Sequence, residues 1–181
     1  MITAGTDVTV HVTYLEMLAR PPFDRPSVPL GPPLALIRAE RPPVWWFLDL
    51  YRAVGRDWEW TDRLHEAPES LAAFVQDPAV VLFTLMRSGW PAGFFQLDFR
   101  RDAACEIAYF GLVPEAVGQG LGKYLLQTAI HAAWDRPGLL RLHLHTCTLD
   151  HPAALPLYQS CGFQPYARDS YSHILTQDRP A

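Results

Sequence analysis

The sequence predicts an α/β (α+β) fold in which helices flank a mixed, mostly antiparallel, twisted sheet. Two observations lead to this fold class. Residues 80–86, 92–99 and 104–113 have the composition of strands, and the links between them are so short that the three strands must form an antiparallel meander. A helical period then extends over 121–134 and a further strand over 139–147, so strand, helix and strand form a right-handed crossover with one parallel pair.

The first third of the chain supplies another part of the predicted sheet. Alternating apolar and polar residues over 7–14 predict a half-buried strand, and the apolar run 34–37 predicts a second strand that pairs back on it. Between them, the proline-dense segment 20–33 predicts an extended excursion, since proline fixes φ and lacks a backbone donor. Helices are predicted over 44–54, which begins after two prolines and ends at a glycine, and over 69–75.

The last third is predicted to add one helix and one hairpin. The helix begins near Asp150 to Pro152, with Asp150 or His151 as N-cap, and ends at Gly162. Residues 163–175 then predict a last hairpin. The chain has no internal repeat and no evident domain boundary, and 181 residues suit one well-packed domain. We therefore expect residues 1–181 to form a single domain.

Composition and charge restrict the class of protein. Apolar residues make up 49% of the chain and charged residues 19%, which predicts a globular protein. The net charge of -4 argues against nucleic acid or an anionic membrane as partner. There is no basic, apolar leader and no stretch of about 18 apolar residues. The three cysteines lack CxxC spacing, which favours a reducing compartment, so the cytoplasm is the expected location.

A glycine-rich turn, Val117-Gly118-Gln119-Gly120-Leu121-Gly122, lies between a predicted strand and a predicted helix. Glycines permit positive φ, and free N–H groups at a helix start attract an anion, to which Lys123 could add a positive charge. A phosphate or pyrophosphate is the expected ligand, with a simple tight turn as the alternative. The dinucleotide fingerprint fails because Lys123 stands where its third glycine belongs, and the P-loop fails because Val117 replaces its first glycine.

LVPEAVGQGLGKYLL and HPAALPLYQSCGF are two segments that together resemble the GNAT (general amine N-acetyltransferase) superfamily. LVPEAVGQGLGKYLL is similar to the family's acyl-coenzyme A turn, Gln/Arg-x-x-Gly-x-Gly/Ala after a strand, with Val117 in the place of Gln or Arg. HPAALPLYQSCGF is similar to the family's second signature, N-x-x-A-x-x-L-Y-x-x-x-G-F, with His151 in the place of Asn. The two segments stand in the family's order, and the resemblance is strongest over residues 79–175.

The resemblance implies an N-acetyltransferase that uses acetyl-coenzyme A (acetyl-CoA) as co-substrate and no metal. The strand before the glycine turn would splay from strand 139–147 and leave a slot, where a backbone amide polarises the thioester carbonyl. Tyr158 would place its hydroxyl near the CoA sulfur as a general acid, with a simple packing role as the alternative. The implied cofactor-binding residues are Leu112, Val113, Val117, Gly118, Gln119, Gly120, Leu121, Gly122 and Lys123.

The resemblance also indicates a base and an acceptor site. Glu106 lies on the strand that leads to the glycine turn, where some family members carry a catalytic glutamate that acts through water; a structural or solvated glutamate is the alternative. In the family the N-terminal helices wall the acceptor site, and aromatic faces with carboxylates suit a cationic amine. The implied acceptor residues, for which core packing is the alternative, are Trp45, Tyr51, Trp58, Glu59, Trp60 and Asp62.

The predicted function is direct transfer of an acetyl group to a primary amine of a small molecule or peptide, in a ternary complex; a homodimer is left open. His143 and His145 share a strand face, but no third ligand has suitable spacing, so no metal is expected. An acyl-cysteine intermediate is disfavoured because no convincing base stands near Cys147 or Cys161 in the sequence. The alternative function is a non-catalytic acyl-CoA-binding or regulatory domain of the same fold.

Overall fold

One seven-stranded sheet, flanked by four helices, forms the fold in the computed structural model, which describes residues 1–179. The strands are β1 (Asp7–Met17), β2 (Leu34–Ala39), β3 (Val80–Arg87), β4 (Trp90–Asp98), β5 (Ala104–Leu112), β6 (Arg141–Cys147) and β7 (Gln164–Ile174). The helices are α1 (Val44–Gly55), α2 (Pro68–Val75), α3 (Leu121–Trp134) and α4 (Ala154–Ser160), with 3₁₀ turns at Asp62–His65 and Pro114–Ala116. The strand order in the sheet is β2-β3-β4-β5-β6-β1-β7.

The structure confirms the predicted meander and crossover. β3, β4 and β5 are antiparallel neighbours, whereas β5 and β6 run parallel and are connected through α3. The parallel pairing involves only Ala104 to Glu106 on the β5 side. Because β5 continues to Leu112 and β6 to Cys147, the two strands separate beyond Glu106 and leave an opening in the sheet. The fold class is therefore the predicted one.

Helices cover both faces of the central strand β4. Phe94 packs against Phe47 of α1, with ring centroids 6.3 Å apart, and Phe95, on the opposite face of the strand, is equally buried. α3 contacts β4, β5 and β6. α1 lies so close to β5 that a Cβ on Gly111 would meet Val54 Cγ1 at 2.3 Å. This close approach holds α1 directly against the strand that leads to the glycine turn.

The predicted pairing of the first two strands is wrong. β1 lies between β6 and β7 and is antiparallel to both, while β2 pairs with β3 at the opposite edge of the sheet. Burial explains the difference, because Val10 and Leu15 of β1 are fully buried, as in an interior strand, whereas Ile37 of β2 is 52% exposed. The proline-rich segment 20–33 connects the two sides, and Arg20 in it donates to Asp135 at 2.9 Å.

The predicted last hairpin is also wrong, since Gln164–Ile174 forms the single strand β7. No residue of this run has a positive φ that would start a tight turn. β1 is equally long and pairs along β7 from Asp7 opposite Ile174 to Glu16 opposite Gln164. Because β1 is long and its backbone groups pair along its whole length, residues 164–174 form one long edge strand beside it instead of a hairpin.

The helix after β6 begins at Ala154, later than the predicted start at Asp150 to Pro152. His151 accounts for the difference because its Nδ1 accepts a hydrogen bond from Ala153 N at 3.0 Å, and its carbonyl accepts one from Ala154 N at 2.8 Å. His151 therefore fixes a turn before α4. Within residues 1–179, no helix has the length and apolar character needed to cross a membrane.

Candidate active site

A cavity of about 760 Å³ opens where β5 and β6 separate. Its wall is formed by β5, β6, β7, the turn before α3, the start of α4 and the segment after α1. A volume of this size is typical of small-molecule sites. The cavity brings together residues that were predicted from separate segments: Glu106, Leu112, Val117, Gly118, Gly122, Tyr158, Trp58, Glu59, Trp60 and Asp62.

The glycine turn presents backbone amides at the start of α3. Gly118 and Gly120 have φ values of 78° and 75°, and a Cβ added to either would meet no atom within 4 Å. Within residues 1–179, the amides of Gly118, Gln119 and Gly120 donate to no other backbone group. The dipole of the 14-residue helix α3 adds to these donors. The turn therefore fits a pyrophosphate, which needs several N–H donors and space for close approach.

The side chains of the turn contribute less to such a site than its backbone does. Gln119 Nε2 donates to Glu115 O at 2.8 Å, so this side chain closes the turn. Leu121 is 4% exposed and belongs to the core, whereas Val117 is 42% exposed and lines the cavity. Lys123 is exposed on the first turn of α3. Of the predicted side-chain contributions, only the positive charge of Lys123 stays available to a bound anion.

The end of β5 offers a backbone amide to the opening. Val113 N donates to Ala92 O at 3.0 Å, and Val113 O accepts from Ala116 N at 2.9 Å, so both backbone groups of Val113 are already bonded. Because successive N–H groups of a strand point to opposite sides, the amide of Leu112 points away from β4 and toward the opening. Of the two predicted residues, Leu112 is therefore the one whose backbone amide faces the opening, and its contact with a pantetheine arm stays a prediction.

Tyr158 on α4 lines the cavity and is 7% exposed. Its ring packs edge-on against Phe110 and Phe163, with centroids 6.0 Å and 6.3 Å away. Burial, together with the negative charge of Asp150, raises the pKa of the Tyr158 hydroxyl above its ordinary value. The hydroxyl consequently keeps its proton at neutral pH, as a general acid requires.

Glu106 stands where β5 and β6 separate. Its Oε1 is 3.5 Å from Nδ1 of His145 on β6, and its side chain is 29% exposed. The interaction with His145 lowers the pKa of Glu106, and burial opposes this effect without cancelling it. Glu106 therefore lines the cavity as an anion.

Trp58 and Trp60, in the segment after α1, form another part of the cavity wall. The Trp58 ring packs against His151 with centroids 5.2 Å apart. Trp60 Nε1 donates to Asp150 Oδ1 at 3.5 Å. Both indoles thus contact the segment that precedes α4, so the predicted acceptor wall and the Tyr158 helix are directly connected.

Glu59, between the two tryptophans, ties this wall to the carboxyl-terminal segment. Its Oε2 accepts hydrogen bonds from His173 Nε2 at 3.1 Å, Thr176 N at 3.1 Å and Thr176 Oγ1 at 2.8 Å, and its side chain is 2% exposed. Burial raises the pKa of Glu59, but the hydrogen bonds from His173 and Thr176 together lower it by more than burial raises it. The net shift of the pKa is therefore downward. The carboxylate is thus an internal anchor of the cavity wall.

Asp62 joins two tyrosines next to the cavity. Its Oδ2 accepts from the Tyr109 hydroxyl at 3.0 Å, and its Oδ1 accepts from the Tyr51 hydroxyl. Arg63 Nε donates to the Tyr109 hydroxyl at 2.6 Å and Nη1 donates to Glu66 at 2.6 Å. Asp62 remains 67% exposed, so its carboxylate is held in place while still accessible to a ligand.

Two of the predicted acceptor residues do not line the cavity. Tyr51 is fully buried beneath it, between Trp60 and Tyr109. Trp45 is 60% exposed and packs only its edge against Trp46, with centroids 5.7 Å apart. The helical period of α1 explains both positions, because it directs Tyr51 into the core and Trp45 toward solvent.

Sequence reasoning missed Asp150 and His145 as cavity residues. Asp150 Oδ2 accepts from Thr146 Oγ1 at 2.8 Å and from Cys147 N at 2.9 Å, so the side chain is locked at the end of β6. An aspartate shortly after a strand is a signal for such a turn. In the sequence, His145 and His143 show only that they share a strand face, and no signal places His145 opposite Glu106.

The three cysteine thiols are protonated at neutral pH. Burial, with a contribution from Asp150, raises the pKa of Cys147 to about 11, and Cys147 lines the cavity. Burial likewise raises the pKa of Cys105 and of Cys161. A thiol that stays protonated is a poor nucleophile. Among residues 1–179, no three His, Cys, Asp or Glu side chains are grouped so that they could hold a metal ion.

Comparisons with known proteins show the family to which the chain belongs. The sequence profile of the acetyltransferase (GNAT) family matches residues 45–163. The chain is 32% identical to a mycothiol acetyltransferase of Thermomonospora curvata over 173 residues, which cover 92% of this chain and 57% of that protein. The chain therefore belongs to the GNAT acetyltransferase family.

Solved structures show the same fold. A GCN5-related N-acetyltransferase from Kribbella flavida superposes with a TM-score of 0.60 at 20% identity, over 92% of this chain and 58% of that one. A tandem GNAT protein from the clavulanic acid biosynthesis pathway superposes with a TM-score of 0.59 at 16% identity, over 94% of this chain and 55% of that one. The chain thus spans little more than half the length of these relatives.

Proposed function

We propose that this chain moves an acetyl group from acetyl-CoA to a primary amine by direct attack in a ternary complex, with residues 1–181 acting as one domain. The observation that carries the proposal is the single cavity that the glycine turn, Tyr158 and Glu106 share. The similarity to a mycothiol acetyltransferase over most of the chain favours a small-molecule acceptor. The same similarity supports acetyl transfer as the reaction class.

The residues present fit an acyl-CoA. The amides of Gly118 to Gly120 are suited to hold the pyrophosphate, with Lys123 nearby, and the amide of Leu112 faces the opening where a thioester carbonyl would lie. When bound, acetyl-CoA supplies the acetyl group as a thioester. The Tyr158 hydroxyl holds a proton for the departing sulfur, and Glu106 supplies the negative charge that favours loss of a proton from the amine.

Direct attack is favoured over an acyl-cysteine intermediate. Cys147 lines the cavity, but its pKa of about 11 leaves it protonated at neutral pH. Cys161 is 1% exposed and its pKa is also raised by burial. A path through either thiol would need a base that lowers these values, and the strongest nearby charge, Asp150, raises the value for Cys147 further.

The acceptor is proposed to bind between the two indoles and the carboxylates beside them. Trp58 and Trp60 line the cavity, and Asp62 presents an accessible carboxylate. Aromatic faces and carboxylates together bind cationic amines. Glu59 contributes to this wall as its internal anchor.

The second candidate function is a non-catalytic acyl-CoA-binding or regulatory domain, which Val117 and His151 favour because both depart from the family pattern. Two observations weaken it: His151 still caps the turn before α4, and the anion site of the glycine turn is made of backbone. A cytoplasmic location, a homodimer, and the absence of nucleic-acid and membrane partners stay predictions from composition and resemblance.

Measuring CoA release with acetyl-CoA across a panel of primary amines tests the proposal. We expect turnover that depends on both the protein and the amine. Tight CoA binding, measured by calorimetry, without turnover on any amine of the panel would favour the non-catalytic alternative.

A further inference from the structure

His145 and Glu106 form a pair at the point where β5 and β6 separate. Nδ1 of His145 is 3.5 Å from Oε1 of Glu106, and both side chains line the cavity. His145 is the more accessible of the two, with 52% of its side chain exposed against 29% for Glu106. Because Nδ1 faces the carboxylate, Nε2 is the ring nitrogen left for a ligand.

We propose that His145 takes the proton from the acceptor amine, and that Glu106 orients the ring and balances the positive charge that forms on it. This inference rests on the proposed function and specifies its base. A cationic amine first loses one proton to water, because only the neutral nitrogen has a lone pair for attack. As this nitrogen then forms its bond to the acetyl carbon, the bond from that carbon to sulfur breaks. The amine proton passes to His145 Nε2, and the Tyr158 hydroxyl gives its proton to the sulfur. Exchange with water then restores both residues.

The surroundings of the pair support this division of roles. Interaction with Glu106 raises the pKa of His145 above its ordinary value, and the negative charges of Asp150 and Asp62 add to the effect against burial. The pKa of Glu106 is lowered by the same interaction, so the carboxylate stays charged beside the ring. The Glu106 carboxylate is therefore better suited to stabilise a protonated His145 ring than to accept the amine proton itself.

The neighbouring histidine is not suited to this role. His143 is 8% exposed, and burial lowers its pKa, so it stays neutral and has little access to a ligand. The charges of Glu106 on β5, Asp150 after β6 and Asp62 before α2 act on His145, and His143 on β6 interacts with it electrostatically. The ring of Tyr14 on β1 lies 5.8 Å away between centroids. Other titratable side chains that line the same cavity include Cys147 on β6 and Asp169, Tyr171 and His173 on β7.

Asp150 connects the proposed base to the proposed acid. Its negative charge contributes to the raised pKa of both His145 and Tyr158. Its carboxylate is fixed by Thr146 and Cys147 at the end of β6. The groups that would receive and donate protons thus line the same cavity as this fixed carboxylate.

The test compares pH profiles of kcat/KM for the wild type, His145→Asn and Glu106→Gln, using the amine that gives most turnover in the panel. His145→Asn should lower kcat roughly 100- to 10,000-fold, with unchanged affinity for acetyl-CoA. Glu106→Gln should be less damaging and should move the acidic limb to lower pH, because the charge that raises the pKa of His145 is gone. His11→Asn, an exposed histidine of β1 outside the cavity, is the matched control.

The opposite ranking would overturn the inference. If Glu106→Gln abolishes turnover while His145→Asn keeps both activity and the acidic limb, Glu106 is the base and His145 is not. An NMR titration of the His145 ring, in the wild type and in Glu106→Gln, tests the pair without any acceptor, and an unchanged ring pKa would contradict the proposed coupling. Absence of turnover in the wild type, together with a coupled titration, would count against the proposed function and not against the pair.

Discussion

The indole Nε1 of Trp60 lies 3.5 Å from the carboxylate of Asp150, and this contact joins the two sides of the cavity. Trp60 follows α1, whereas Asp150 follows β6 and is fixed there by Thr146 and Cys147. The acceptor wall is therefore positioned against the segment that leads to Tyr158. A change that moves Trp60 should therefore affect binding of the acceptor amine more than binding of acetyl-CoA.

Gly55→Ala is expected to move Trp60. A Cβ on Gly55 would lie 2.3 Å from Trp60 Cβ. Alanine at a helical position without positive φ would otherwise stabilise α1 by about 0.5–1 kcal/mol. We expect Gly55→Ala instead to lower the free energy of unfolding in urea by about 1–3 kcal/mol, as overpacking does, and to raise the KM for the amine.

A double-mutant cycle supplies the control for this prediction. In the background of Trp60→Gly the obstructing Cβ and the indole are both gone, so Gly55→Ala should be neutral or stabilising. An equal loss of stability with and without Trp60 would show that the contact is not the cause.

Gly118→Ala should weaken the affinity for acetyl-CoA. Its φ of 78° makes a Cβ cost about 1–2 kcal/mol in folding, although the added atom meets nothing within 4 Å. The methyl group would stand beside the free amides, and loss of one hydrogen bond of about 1.4 kcal/mol corresponds to roughly a tenfold higher Kd. Calorimetric titration with acetyl-CoA measures this change.

Gly138→Ala is the matched control, because Gly138 has a φ of 80° and equally open surroundings but lies outside the cavity. It should lower stability to a similar extent and leave the Kd for acetyl-CoA unchanged. A similar rise in Kd for both variants would mean that Gly118 acts through folding alone.

The glycine turn and the helix that carries Tyr158 were predictable because the residues that specify each of them are contiguous in the sequence, at Val117–Lys123 and 151–163. The position of β1 in the sheet was not predictable, because an alternating pattern indicates a strand but not which strand it pairs with. β1 pairs with residues near the other end of the chain. The pair of Glu106 and His145 depends in the same way on the register between β5 and β6. The periodicity of the sequence therefore predicts individual strands and helices, but not the long-range strand pairing that brings the site residues together.

Glu59→Gln should destabilise the protein in a pH-dependent manner. The pKa of Glu59 in the folded protein lies below its ordinary value of 4.5, so its charge contributes stability above about pH 4.5, and that stability is lost as the pH falls through the folded pKa. The difference in unfolding free energy between the wild type and Glu59→Gln should therefore be largest near neutral pH and shrink in acid. Urea unfolding at several pH values measures it.

Glu40→Gln, at an exposed position directly after β2, is the control and should change stability little at any of these pH values. If the difference in unfolding free energy between the wild type and Glu59→Gln does not shrink in acid, the charge of Glu59 has no part in anchoring Thr176 and His173.

Cys147→Ser should keep turnover. With a pKa of about 11, on the order of one Cys147 thiol in a thousand or fewer is ionised at pH 7.5, which is too few for an efficient nucleophile. Intact-mass analysis after incubation with acetyl-CoA and no amine should show no acetylated protein. Loss of turnover in Cys147→Ser, together with an acetyl adduct on Cys147 in the wild type, would contradict direct transfer.

Tyr158→Phe tests the central claim most directly, because it removes one hydroxyl and keeps the ring that packs against Phe110 and Phe163. Steady-state CoA release with the best amine of the panel should show kcat lowered by roughly 100- to 10,000-fold, with the Kd for acetyl-CoA and the thermal stability nearly unchanged. Turnover equal to that of the wild type would contradict Tyr158 as the acid, and with it the proposed assignment of roles around this cavity.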